Sequence, residues 1–136
     1  MKGSHILLIV ISYFVRLVNG AAIRLTTVED YDALVNQSNR SGILLYANSD
    51  TVYGIKQHGP EFDALSDIMV DENHEDFYVG IVDCVKYKPV CRAGKVKSTL
   101  AIAAYNRGKP TYYKTKTDNM NTDSYLKWVE DLGLLE

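Results

Sequence analysis

The sequence predicts a single α/β domain folded as a three-layer sandwich, and three observations carry that prediction. Two continuous apolar runs, Ile43-Leu44-Leu45-Tyr46-Ala47 and Phe77-Tyr78-Val79-Gly80-Ile81-Val82, have the composition of central strands covered on both faces. The segments around them place apolar residues at helical spacing. Asn106-Arg107-Gly108-Lys109 then has the composition of a hairpin turn. Parallel strands joined by crossover helices and closed by a hairpin give a sheet with helices on both sides.

Taken in order, Ile23-Arg24-Leu25 alternates apolar and polar and forms a short first strand. Thr27 is placed as an N-cap, with Glu29 and Asp30 in the first turn of a helix over 28–35. Val28, Tyr31, Leu34 and Val35 are its apolar stripe. A polar loop over 36–41 precedes the run at 43–47. Gly54 opens a second helix whose inner face is Phe62, Leu65, Ile68 and Met69. The run at 77–82 follows, then a short segment holding both cysteines. Ala101 to Tyr105 and Pro110-Thr111-Tyr112-Tyr113 flank the hairpin turn. Thr122 is expected to cap a last helix, with Asp123 at its first position and Tyr125, Leu126, Trp128 and Val129 inside.

The N-terminus has the layout of a removable signal peptide over residues 1–20. Lys2 supplies the positive start, residues 6–15 an apolar core too short for a membrane span, and Gly20-Ala21-Ala22 a small-residue cleavage region. Arg16 is unusual so late in such a core, and an uncleaved anchor or buried helix is the alternative. The domain then covers 21–136. Cleavage removes Lys2 and Arg16 and no acid, leaving 13 basic residues against 17 acidic ones, a net charge of −4. That balance supplies no basic field for nucleic acid or anionic lipid. With no second apolar run of spanning length, the cleaved chain is expected to be soluble and to hold no membrane contact.

Cys84 and Cys91 are the only cysteines. An even count in a secretory context favours a disulfide over two free thiols. Their spacing is not C-x-x-C, and two thiols are too few for a structural zinc site. Use as reactive thiols is the alternative, and it requires a neighbouring base or helix N-terminus.

This element order, with this cysteine placement, resembles the thioredoxin fold and, more narrowly, a catalytic-type domain of the protein disulfide isomerase family. The resemblance runs from residue 23 to about 132. Ile23-Arg24-Leu25-Thr26 with Tyr31 is similar to the family's opening strand and helix, and Gly59-Pro60-Glu61-Phe62 to its A-P-E-[FY] stretch in the active-site helix. Val82-Asp83-Cys84 through Cys91 is similar to its V-D-C-x6-C stretch, and Asn106-Arg107-Gly108-Lys109 to the turn before its last strand. The resemblance implies a thioredoxin-like sandwich around a central mixed sheet, with Cys84 and Cys91 as a structural, non-catalytic disulfide.

The departures bear on function. Counting back from Pro60, the family's C-x-x-C falls on Val52-Tyr53-Gly54-Ile55, and Thr51 takes the place of its tryptophan. The segment between Ala47 and Pro60 is about two residues longer than the family's. Dithiol exchange needs a nucleophilic thiolate and a second thiol to resolve the mixed disulfide, and neither is present here. The family's cis-proline position falls on Leu100. Because a cis bond before a non-proline residue costs about 2.5–4 kcal/mol, the Thr99–Leu100 peptide is expected to be trans. The family's buried proton-transfer glutamate corresponds to Leu44. These changes together imply a redox-inactive relative, not an enzyme.

No other chemistry is evident. His58 and His74 are expected to be solvated surface residues, and His5 leaves with the signal peptide. The acidic run Asp71-Glu72-Asn73-His74-Glu75-Asp76 lacks the spaced ligands of a calcium loop and is assigned to a helix end. No metal or cofactor is expected. Asn36-Gln37-Ser38 and Asn39-Arg40-Ser41 are adjacent N-x-S sequons, so Asn36 and Asn39 are candidate glycan acceptors. Tyr112 and Tyr113 alternate faces, so one should be exposed.

Three functions follow, in different classes. The resemblance implies first a non-catalytic module of the secretory pathway, in the endoplasmic reticulum lumen or secreted. Such a module would hold a protein or peptide partner through the surface around 52–55 and 98–100, in a chaperone-like way. The second is a secreted effector or structural protein that uses the fold as a platform; the C-terminal Gly133-Leu134-Leu135-Glu136 lacks a K-D-E-L-type signal. The third is a weak oxidoreductase working through Cys84 and Cys91. Disulfide-exchange assays separate the third from the others, and suppression of aggregation of unrelated clients separates the first from the second.

Overall fold

A computed structural model of the chain describes residues 21–114 and 120–135. The signal-peptide reading of residues 1–20 lies outside the described residues. Among the described residues, five strands form one sheet: β1 (Ile23–Arg24), β2 (Gly42–Ala47), β3 (Tyr78–Asp83), β4 (Ala101–Asn106) and β5 (Lys109–Tyr112). Their spatial order is β1-β3-β2-β4-β5. The β1–β3 and β2–β3 pairs are parallel and the β2–β4 and β4–β5 pairs antiparallel, so the sheet is mixed, as expected.

Among the described residues, four α-helices cover it. α1 (Val28–Asp32) is capped as expected, Thr27 Oγ1 accepting from the Asp30 N–H at 3.1 Å. It continues into a π-helical turn, Ala33–Gln37, two residues past the expected end. There the Asp32 carboxylate accepts from Asn36 Nδ2 at 2.8 Å and Gln37 Nε2 at 2.7 Å, giving the wider turn side-chain partners. α2 (Ile55–Asp71) is the long helix and α3 (Lys88–Ala93) the short one beside the cysteines. α4 (Thr122–Asp131) starts one position off the expectation: Asn121, not Thr122, is its cap, with Asn121 Oδ1 accepting from the Ser124 N–H at 2.9 Å. Thr122 is engaged elsewhere. Its N–H donates to Glu61 Oε2 at 2.7 Å and its hydroxyl bonds the same carboxylate, which ties α4 to α2.

β2 is wholly buried and its alternate residues feed two cores. Ile43, Leu45 and Ala47 pack with Phe62, Leu65 and Met69 of α2 and Tyr125 and Val129 of α4. Leu44 and Tyr46 pack on the other face with Tyr31, Val35, Val90 and Tyr105. Gly80 of β3 is needed for this arrangement, since a Cβ there would lie 2.6 Å from Leu44 Cδ2. Within the second core, Tyr46 and Tyr105 share a 2.5 Å hydroxyl bond, and the Tyr46 hydroxyl reaches Tyr31 Oη at 3.4 Å. Burial raises the pKa of both Tyr46 and Tyr105, so both stay protonated and bonded.

The hairpin forms where expected, with Arg107 and Gly108 at positive φ (50° and 91°). β5 is an exposed edge, and Pro110 within it lacks the N–H that would pair with another strand. Tyr112 faces out, while Tyr113 packs edge-on against Tyr125 and Trp128, with ring centroids 5.3 and 4.8 Å away. Among the described residues no helix is long and apolar enough to cross a membrane.

Candidate functional site

Where β2 ends, the chain runs through a loop over 48–54 and turns into α2. Gly54 is the hinge of that turn. A Cβ on it would lie 2.0 Å from the Asn48 carbonyl oxygen, the same oxygen that accepts from the Ile55 N–H at 3.0 Å. Only a residue without a side chain lets the loop close on itself here. The helix that follows has neither a side-chain cap nor an acid in its first turn. The His58 N–H reaches the Gly54 carbonyl, whereas the N–H groups of Lys56 and Gln57 have no acceptor among the described residues. Such a terminus carries a partial positive charge.

Against it lies the 99–100 segment leading into β4. The Thr99–Leu100 peptide is cis, which corrects the expectation of a trans bond. That expectation weighed the local peptide alone. In the fold, Leu100 is also held by its neighbours, packing against the α2-side core while lining the cleft. The two segments enclose an open cleft of about 690 Å3. Asn48, Thr51, Gln57 and Thr99 give it polar walls, and Tyr53, Leu100 and Met120 apolar ones.

The positions expected at this site divide. Tyr53, Gly54 and Leu100 meet in the cleft. Val52 stands beside them as an exposed tip; Val52 is 61 % and Tyr53 74 % exposed. Ile55 turns inward and packs on the core.

His58 is a second correction. It is 5 % exposed, not solvated, and its Nδ1 has no hydrogen-bond partner among the described residues. Burial lowers its pKa, with the Glu61 carboxylate opposing in part. The reason lies in the spacing: His58 falls on the stripe of Phe62, Leu65 and Met69, one turn before Phe62. That periodicity was the available signal for its burial. The neighbouring parts of the cleft, Asn48, Gln57, Thr99 and Met120, carry no sequence signal of their own, because they meet only through the fold. His74 lies at the opposite end of the sheet, half-buried beside Asn39, Arg40 and Asp76 in a separate cleft of about 530 Å3. Among the described residues no group of acids, histidines and cysteines could hold a metal ion.

Cys84 and Cys91 form a disulfide with Cα atoms 5.3 Å apart, closing the turn between β3 and α3. The Asp83 carboxyl beside it is disfavoured as an anion by burial. Bonds from Ser49 and from the Val85 and Lys86 N–H groups outweigh that and hold its pKa low. Leu44 is fully buried in the apolar core opposite α2. Asn36 and Asn39 are both exposed, before the start of β2 and so at the opposite end of that strand from the cleft.

No protein-family model and no curated protein sequence matches the chain. Solved structures do. Full-length ERdj5 superposes with a TM-score of 0.71 over 93 % of this chain, at 19 % identity. The chain has a thioredoxin-like fold. The Trx4 domain of ERdj5 matches 82 % of the chain and is itself 95 % covered, with TM-score 0.64 and 16 % identity. Human ERp44 in its zinc-bound form matches 81 % with TM-score 0.67 and 13 % identity. These neighbours are thioredoxin-like domains of the protein disulfide isomerase family. The chain spans about a third of the length of ERp44 and less than a fifth of full-length ERdj5, so it corresponds to one thioredoxin-like domain of such proteins.

Proposed function

We propose that this thioredoxin-like chain is a redox-inactive relative of the protein disulfide isomerase family that works in the secretory pathway, and that it binds an extended segment of a protein or peptide through the cleft at the start of α2. The observation that carries this reading is the loop over 52–55. At the place of the family's dithiol it has no thiol, and instead presents exposed Val52 and Tyr53 beside an open cleft walled by Leu100 and Met120. Exposed aromatic and aliphatic side chains next to a concavity are how a binding face gains contact area at low entropic cost. Leu44 supports the same reading: a buried carboxylate would be expensive, and without a thiol to deprotonate it would bring nothing in return.

Two assays test this. Insulin reduction and the shuffling of a scrambled disulfide substrate should show no turnover; turnover that vanishes on Cys84→Ser would overturn the redox-inactive reading. Aggregation of several unrelated unfolded clients should be suppressed, and the paired change Val52→Ser and Tyr53→Ser should abolish suppression while leaving the fold intact. Capture of a single partner with no effect on general clients would point instead to a dedicated effector that uses the fold as a platform.

A further inference from the structure

The acidic net charge hides a strong segregation. Residues 84–117 hold nine of the chain's lysines and arginines and no aspartate or glutamate. Five of the nine, Lys86, Lys88, Arg92, Lys95 and Lys97, fall within twelve residues on α3 and the turns at its two ends, and all five are exposed. Val90 and Cys91 seat α3 on the tyrosine core. Lys88 and Arg92, one turn apart, therefore share its outer face. The Lys95 N–H donates to the Arg92 carbonyl at 2.9 Å, so the stripe continues past the helix end.

The fold does not need these charges. Lys88 occupies the first position of α3, where the helix dipole disfavours a cation and prefers an acid. It also repels Arg92 four positions on. Lys95 follows the Gly94 cap at a φ of 56°, a left-handed position that glycine fills best. Glycine stands one position earlier instead, where a Cβ would lie 2.6 Å from the Tyr46 hydroxyl. Arg92, in the last turn, is where a helix favours a cation. Side chains kept against local folding preference mark functional positions.

The charges are not answered within the chain. Lys88, Arg92, Lys95 and Lys97 have no ion-pair partner among the described residues, and the Lys86 ammonium lies over the Tyr87 ring, 5.6 Å from its centroid. Asp83, where the turn begins, accepts from the Val85 and Lys86 N–H groups. On α1, which packs beside α3, Asp32 holds Asn36 and Gln37, and Glu29 and Asp30 lie in the first turn, where the dipole favours them.

We propose that this face of α3 binds a linear polyanion, and that the polyanion is a sulfated polysaccharide. Four of the five cations are lysines, flexible point charges that meet a sulfate oxygen from any direction; a face for peptide carboxylates would favour the planar arginine fork. The stripe from Lys88 to Lys95 is about 10 Å long, so its binder carries several charges in series. It is also narrow. A wide nucleic-acid duplex would meet Glu29 and Asp30 on α1 as well, whereas a slender sugar chain would not. Single surface ion pairs contribute little, which disfavours a second copy of this acidic chain, while a polymer gains by releasing its counterions. The Cys84–Cys91 disulfide belongs to an oxidising compartment, where sulfated sugars are the polyanions met. The proposal goes beyond the cleft, concerns the opposite face of the sheet from α2, and rests on the binding reading only for the secretory setting.

The probe is a heparin octasaccharide, titrated against the chain at low salt, with its desulfated counterpart, polyglutamate and a DNA duplex of equal charge as controls. The octasaccharide should bind about tenfold or more tighter than each control, with log affinity falling linearly with log salt. Two variants separate binding from folding. Lys88→Glu and Lys95→Gly should each raise the urea midpoint of unfolding, because they supply the preferred helix-start charge and the preferred left-handed residue. Each should nonetheless weaken the octasaccharide by about fivefold, and Lys95→Gly should lower the salt slope by about one. Lys127→Ser, on α4 across the sheet, should leave the affinity unchanged. Absence of binding, equal binding of any control, or an equal loss on Lys127→Ser would overturn the proposal. A chain that suppresses client aggregation but ignores the octasaccharide loses only this face. One that binds the octasaccharide but holds no client keeps the face and loses the cleft reading.

Discussion

Removing one hydroxyl from the buried tyrosine trio should cost more than its single bond suggests, and removing two should cost less than the sum. The Tyr46 hydroxyl bonds Tyr105 at 2.5 Å and reaches Tyr31 only at 3.4 Å, so the Tyr46–Tyr105 bond carries most of the interaction. Tyr46→Phe takes away that bond and leaves the buried Tyr105 hydroxyl with Tyr31 as its remaining side-chain neighbour, which should cost about 1–3 kcal/mol. Tyr105→Phe leaves Tyr46 with the long Tyr31 contact alone and should cost about 1–2 kcal/mol. The double change strands neither, so it should fall short of the sum by about 1–2 kcal/mol. Urea unfolding followed through Trp128, the only tryptophan, reads this directly, and an unchanged m-value would show that the denatured state is not responsible. Strictly additive losses, or a stabilised Tyr46→Phe, would refute the coupled trio. Gly94→Ala is a control on the same pocket. Its Cβ would sit 2.6 Å from the Tyr46 hydroxyl but also 2.7 and 2.8 Å from ring carbons, so its cost should persist in the Tyr46→Phe background.

Three further outcomes are expected. Converting both Cys84 and Cys91 to alanine should cost about 2–3 kcal/mol, the loop-closure value for so short a ring; a reducing agent should lower the urea midpoint of the parent and leave that of the variant unmoved. Gly54→Ala should cost about 1–3 kcal/mol and displace the amide signals of Asn48 and Ile55, because its Cβ would lie 2.0 Å from a backbone oxygen that cannot swing aside; a neutral variant would show that the loop closes differently. Stability should fall as pH drops below about 6.5. The unfolded chain protonates its histidine near that value, while buried His58 resists to a lower pH, so the unfolded state binds more protons in between. His58→Gln should flatten that slope without altering the further loss below 3.8. That loss comes from carboxyls such as Asp63, where burial raises the pKa but the Arg24 and Ala22 bonds outweigh it and hold it low.

What the sequence made legible was whatever is settled within a few residues. The continuous apolar run at 43–47 marks β2 because a strand covered on both faces has no polar side to show. The hairpin at Asn106–Lys109 and the Thr27 cap are likewise local chemistry. Where the structure departs from these local expectations, the cause is the opposite. The preference of an isolated Thr99–Leu100 peptide is local, and the packing of Leu100 bears on the bond too. Thr122 reads locally as a cap because its reach to Glu61, sixty-one positions back, cannot be seen along the chain. By residue type His58 belongs in solvent, although its spacing from Phe62 places it on the buried stripe. The candidate site is where both kinds of information are needed. That 52–55 holds no thiol is plain in the sequence. That the uncapped start of α2, buried His58 and the 99–100 segment line one cleft emerges only when β2, α2 and that segment are brought together.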